Sequence, residues 1–181
     1  MVEKFGISQP VRRREDTRFL TGQGTYADDV NRDGQVYASF VRSQHPHGSI
    51  RGIDNAAAES APGVVGVFTG ADLVTAGIHG QVPRALLPGF VTTPTPRPGL
   101  ADTVVRHVGE PVAVVIAETR ALADDAAGLI EVDIEALPAA IEITDARAPG
   151  APVVWSEAPN NVCQEWTHGD RDGGAPQPRR T

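Results

Sequence analysis

Six side chains of this 181-residue sequence stand where chemistry is conceivable: His45, His47, His107, Glu110, Cys163 and His168. His45 and His47 flank Pro46, a spacing that can point both rings the same way from an extended loop, as metal ligands require. A metal site takes three or four ligands, and neither cysteine nor carboxylate stands nearby in sequence to complete one. His107 and Glu110 bracket Val108-Gly109, and a histidine beside a carboxylate can work as an acid/base pair. The same residues fit a tight turn, with Gly109 supplying backbone freedom and Pro111 setting the entry to a strand. Cys163 needs a base to become a nucleophile, and His168 is the only near candidate. A free or half-buried thiol is the simpler reading. Gly22-x-Gly24 lacks the third glycine of a nucleotide loop, having Ala27 there, and no apolar strand precedes it, so it reads as a turn. Glu118, Asp124, Asp125 and Glu131 read as solvated faces. From the residues alone no catalytic, cofactor-binding or metal role is assigned.

The elements that position these groups are centred on residues 106–141. Val112 to Ala117 is an unbroken apolar run, expected to form a central strand covered on both faces. Thr119 is the expected N-cap of a short helix over Ala121–Ala127, with Gly128 at its C-terminal end. Leu129, Ile130, Val132 and Ile134 alternate with Glu131, Asp133 and Glu135 as a strand wet on one side, closed by Pro138. An earlier stretch repeats this order. Val36, Ala38 and Phe40 give a strand over 35–42 its apolar face, Ile50 and Ile53 open a second extended piece, and Asp54 or Asn55 caps a helix over Ala56–Ser60. Val64, Val65, Val67 and Phe68 follow as a strand. Between the two units, residues 79–102 carry Pro83, Pro88, Pro94, Pro96 and Pro98 and read as a long surface loop. Its Leu86, Leu87, Phe90 and Val91 suggest a contact role. Val153-Val154-Trp155 forms a last extended piece, turned by Asn160-Asn161. The expected organisation is an irregular segment 1–33, an α+β domain 34–145, an extended segment 146–170 and a disordered tail 171–181.

Composition limits the rest. With 40% apolar residues the chain can build a core, and 16 basic against 23 acidic residues give a net charge of -7 and a pI near 5.1. Such a surface repels a phosphate backbone, so nucleic acid is not an expected partner. No run approaches the roughly 20 apolar residues of a membrane span. Arg12-Arg13-Arg14 is followed by Glu15-Asp16-Thr17 where an export signal needs an apolar segment, and it reads as a solvated basic patch. One cysteine excludes an internal disulfide, and a cytoplasmic setting fits.

Several strings acquire meaning as a set: Val11-Arg12-Arg13, Phe19-Leu20-Thr21-Gly22-Gln23-Gly24-Thr25-Tyr26-Ala27-Asp28-Asp29, Phe40-Val41-Arg42-Ser43, Ala61-Pro62-Gly63-Val64-Val65-Gly66-Val67-Phe68-Thr69-Gly70-Ala71-Asp72-Leu73, and Val108-Gly109-Glu110-Pro111-Val112-Ala113-Val114-Val115. In this order they resemble the N-terminal part of the molybdenum-binding large subunit of the xanthine dehydrogenase, aldehyde oxidase and carbon monoxide dehydrogenase family, over about Gly6 to Asp170. The resemblance implies an α/β hammerhead: two strand–helix–strand units with a mixed sheet. It also implies oxidation or hydroxylation at a molybdopterin centre with water as oxygen source, and electrons passed to iron–sulfur and flavin groups on partner chains. The family's cofactor ligands and catalytic glutamate lie beyond this domain, and Cys163 does not match its active-site cysteine loop, so no site residue is carried over. After Thr167-His168-Gly169-Asp170 the sequence departs from the family's Ala-rich, Phe-containing helix. The expectation is a truncated large-subunit portion giving scaffold and subunit contacts, against the alternative of a free-standing, non-enzymatic domain that binds a protein partner or regulates assembly. The central-strand reading also expects Ile116→Asp to prevent folding.

Overall fold

The computed structural model describes residues 13–78 and 91–166. Residues up to Gln35 and residues from Val36 on form two compact units. In the first, the stretch expected to be irregular holds a short helix, α1 (Asp16–Leu20), and a 3-10 turn over Ala27–Asp29. The Phe19 and Tyr26 rings stack with centroids 5.6 Å apart. Gly22, at φ +72, turns the chain just after α1, which fits the turn reading of Gly22-x-Gly24.

The second unit runs β1 (Tyr37–Arg42), β2 (Gly48–Asp54), α2 (Ala56–Glu59), β3 (Val64–Thr69), α3 (Gly70–Thr75), β4 (Val91–Thr92), β5 (Val104–Val105), β6 (Pro111–Ala117), α4 (Arg120–Ala127), β7 (Glu131–Ala136), α5 (Ile143–Ala146) and β8 (Gln164–Glu165). The apolar run becomes β6, the middle strand of a sheet ordered β1-β6-β3, while β5-β2-β7 form a second sheet and β4-β8 a small pair. Both expected strand–helix–strand units exist, as β2–α2–β3 and β6–α4–β7. Each helix moves the chain from one sheet to the other, in opposite directions.

The single mixed sheet is corrected: all pairings among the described strands are antiparallel. Residues 55–63 are too short for a parallel crossover, which takes about a dozen residues or more. After β6 both neighbouring places are already filled by β1 and β3, so the next strand joins the other sheet.

Local sequence explains the helices. The Thr119 hydroxyl accepts the Leu122 N–H at 3.2 Å and starts α4; Gly128 ends it with φ -69, a right-handed and not a left-handed cap. For α2, Asp54 accepts the Ala56 N–H at 3.1 Å. Thr69 and Asp72 cap α3 reciprocally, and these hydrogen bonds from the Thr69 hydroxyl and backbone hold the Asp72 carboxyl below its usual range. Ala58, Ala123 and Ala126 are small enough to bring α2 and α4 close to the sheet, and Ser39 Oγ donates to Asp124 at 2.7 Å to fasten α4 over β1.

One core joins these parts. Ala58, Val67, Ala113, Val115, Ala126 and Ile130 form one cluster and Ala101, Val105 and Val112 another, with Val41, Ile53 and Val132 touching both. The register steps from Val41↔Ala113 to Arg42↔Pro111, leaving Val112 as the extra residue of a bulge. Consecutive Val112 and Ala113 are thereby both buried.

Several expectations change. In β1 the apolar set Val36, Ala38 and Phe40 is exposed, while Tyr37, Ser39 and Val41 turn inward. The loop expected over 79–102 is buried at its end, where Leu100 and Ala101 enter the core and Ala101 N–H donates to the Pro111 carbonyl at 2.8 Å. Leu86, Leu87 and Phe90 lie outside the described residues, as does the tail 171–181. Val153–Trp155 forms no strand; β8 pairs with β4 in its place. Asn161, at φ +56, does turn the chain, and its side chain donates to the Ala146 and Pro152 carbonyls, each at 2.9 Å.

The stability expectation for Ile116 moves one residue. Ile116 is half-buried on the outer face of β6, whereas Val115 is 0% exposed. Burial of a valine is worth about 1.5–3 kcal/mol, and an unpaired buried carboxylate adds several more, against a total of about 5–15. Val115→Asp is therefore expected to abolish the cooperative urea transition seen by circular dichroism, while Ile116→Asp in the isolated chain retains one at a lower midpoint.

Candidate functional site

The two histidine-bearing segments, separate in sequence, meet at Ser43. Its N–H donates to the Glu110 carbonyl at 2.9 Å, and its carbonyl accepts the Gly109 N–H at 2.8 Å. Arg42 reaches the Gly109 carbonyl at 2.9 Å. Gly109 has φ +86, which a Cβ would strain, so the residues ahead of β6 take the expected tight turn.

Glu110 is 5% exposed, and its carboxylate accepts the Arg106 backbone N–H. His107 Nδ1 lies 3.7 Å from that carboxylate, but its side chain is 61% exposed. The buried oxygen is thus committed to closing the turn, and the ring faces water. This geometry clamps a strand entry.

His45 and His47 diverge in role. His45 N–H donates to Ser43 Oγ at 3.0 Å. His47 is buried, and its Nδ1 sits 2.9 Å from the Pro138 carbonyl; an oxygen there can only accept, so that nitrogen carries the proton. The His47 carbonyl also accepts the Leu137 N–H at 3.0 Å. His47 therefore fastens the end of β7 to the start of β2. Among the described residues no three His, Cys, Asp or Glu side chains gather as a metal would need. Cys163 is half-buried ahead of β8, its carbonyl accepting the Thr93 N–H at 3.0 Å. His168, its candidate base, lies outside the described residues.

One cluster had no signal in the sequence. The Arg106 and Arg97 guanidiniums stand 5.5 and 6.0 Å from the Trp155 ring centroid, and Trp155 Nε1 donates to the Pro96 carbonyl at 3.2 Å. Arg106 also donates to the Val104 carbonyl at 3.2 Å, and its buried Nε has no hydrogen-bond partner among the described residues. Beside it a cavity of about 240 Å³ is walled by Leu73, Val74, Ile78, Pro96 and Leu100. Glu157 is held below the usual carboxylate range by its own backbone N–H and the Ser156 hydroxyl, with a smaller contribution from Arg106. Residues so far apart in sequence announce no shared site until the chain folds.

With the geometry in hand, comparison with known proteins identifies the class. Residues 21–138 match the family described as aldehyde oxidase and xanthine dehydrogenase, a/b hammerhead domain. The chain belongs to this family. It is 43% identical over 158 residues to the nicotine 6-hydroxylase large subunit of Paenarthrobacter nicotinovorans, covering 86% of this chain and 19% of that protein. It is 36% identical over 180 residues to the carbon monoxide dehydrogenase large chain of Afipia carboxidovorans, covering 93% and 21%. Among solved structures, quinoline 2-oxidoreductase from Pseudomonas putida 86 superposes with a TM-score of 0.68 at 43% identity, over 80% of this chain and 18% of that one. The chain thus spans about a fifth of the length of these relatives.

Neither the cavity beside Arg106 nor the buried pair His47 and Glu110 fits the molybdopterin group that the resemblance implies. The walls of the cavity beside Arg106 are apolar apart from Arg106 and Asp102, and the buried Glu110 and His47 side chains already hold backbone partners. No helix among the described residues is long and apolar enough to cross a membrane.

The turn-clamp assignment separates Glu110 from His107. Glu110→Ala is expected to lower the unfolding free energy by about 1.5–3 kcal/mol, the range for a hydrogen bond to a charged group. His107→Ala, at an exposed ring, should change it by less than about 0.5 kcal/mol. Urea denaturation at neutral pH measures both; equal losses would make the pair a structural unit.

Proposed function

We propose that this chain is the N-terminal portion of a molybdopterin-dependent oxidoreductase large subunit, that it gives scaffold and subunit contacts, and that it is not catalytic alone. The observation that carries the reading is the match over 21–138 to a family whose members extend about five times as far. Two further facts support it. The candidate side chains His47 and Glu110 hold backbone groups in place of open positions. Relatives named for nicotine, carbon monoxide and quinoline share this region at 35–43% identity, which favours substrate choice being made outside it.

In this reading residues 34–145 are the hammerhead domain, 1–33 precede it and 146–170 follow it. The molybdopterin sits in the remainder of the large subunit, with iron–sulfur and flavin groups on partner chains, in a cytoplasmic setting. Relatives named as a large subunit, a large chain and a complex subunit gamma support partner subunits. A molybdenum assay on the purified 181-residue chain tests the claim: background metal is the expected result, and one molybdenum per chain overturns it.

A further inference from the structure

The outer face of the β1-β6-β3 sheet is apolar and partly exposed. Register places Phe40, Val114 and Phe68 in one row across it and Ala38, Ile116 and Gly66 in the next. Phe40 is 47% exposed and Phe68 46%, and Val114 and Ile116 are only half-buried. Gly66 has a specific part in this: a Cβ there would stand 3.2 Å from the Phe68 ring, so its absence lets the ring lie down on the sheet. At the margin, the Arg42 guanidinium lies 5.6 Å from the Phe40 ring centroid.

Sequence pattern and structure disagree on this face in a consistent way. A strand wet on one side alternates, as β7 does, with Glu131, Asp133 and Glu135 exposed between Val132 and Ile134. Strand β6 does not alternate, and in β1 the apolar set is the one left outside. Three strands about 4.8 Å apart, each about six residues of 3.4 Å, make a face of roughly 290 Å². That is far below the roughly 800 Å² per partner of a stable interface between separate proteins. A second copy of the chain would gain too little from it alone. A neighbouring domain held by further contacts, as within one large subunit, needs no more than this.

We propose that this face is the seat on which the remaining four-fifths of a large-subunit-type polypeptide packs, with apolar side chains laid over Phe40, Val114 and Phe68. The inference rests on the scaffold reading above and names the surface that reading requires. The test uses the 181-residue chain and a full-length nicotine 6-hydroxylase large subunit in which this chain replaces the matching region. Hydroxyl-radical footprinting with mass spectrometry reads Phe40 and Phe68, with exposed Ile141 and Ile143 as references. In the isolated chain both phenylalanines should label; in the chimera their labelling should fall about fivefold, the ratio between half exposure and burial. A double variant, Phe40→Ser with Phe68→Ser, should leave the isolated chain folded and make the chimera aggregate.

An assembled chimera whose phenylalanines label as in the isolated chain overturns the seat and spares the scaffold reading. A chimera that stays insoluble while its parent is soluble overturns that reading and the seat with it. Protection already present in the isolated chain, by its own residues or by a second copy, also overturns the seat.

Discussion

Strand β6 has both edges hydrogen-bonded and no polar side chain between Val112 and Ala117, and the second unit depends on that constraint. A middle strand must have all its backbone groups paired, which β1 and β3 accomplish. Its inner face must be covered, which the alanines of α2 and α4 do at close range. The entry to β6 is fixed by Glu110 and Gly109, and its exit by Thr119 at the start of α4. His47 and Glu110, which first suggest reactivity, thus hold the ends of strands through hydrogen bonds to backbone groups.

Much of this was legible in the sequence. An unbroken apolar run, a threonine cap and an alternating strand are local signals, and β6, α4 and β7 formed where those signals lay. The misses share a cause in non-local pairing. Strands β5 and β8 have two residues each and exist only because β2 and β4 lie beside them. The bulge at Val112 and the outward turn of Phe40 are set by register with a partner strand, which periodicity within one strand cannot report. Leu100 and Ala101 are core residues at the end of a proline-rich stretch whose composition suggested surface. The Arg97, Arg106 and Trp155 cluster joins two segments distant in sequence and carried no local mark.

For function, the motifs were more informative than the individual residues. His45, His47, His107, Glu110 and Cys163 each allowed a chemical reading, and the distances at His47 and Glu110 give structural ones. The ordered strings, from Val11-Arg12-Arg13 to Val108-Gly109-Glu110-Pro111, pointed to a family, and the match over 21–138 establishes it. The described residues make a packed shape: inner faces closed by small residues, and one outer face on which Phe40 and Phe68 stay about half exposed.

Native-state hydrogen exchange tests the organising role of β6 most directly. The amides of Val114, Val115 and Ile116 are predicted to be among the slowest in the chain, with an opening free energy equal to that of global unfolding, while those of the β4-β8 pair exchange through local opening. If the β6 amides open at a free energy well below the global value, or no more slowly than Gln164 and Glu165, the strand is not the element on which the rest depends.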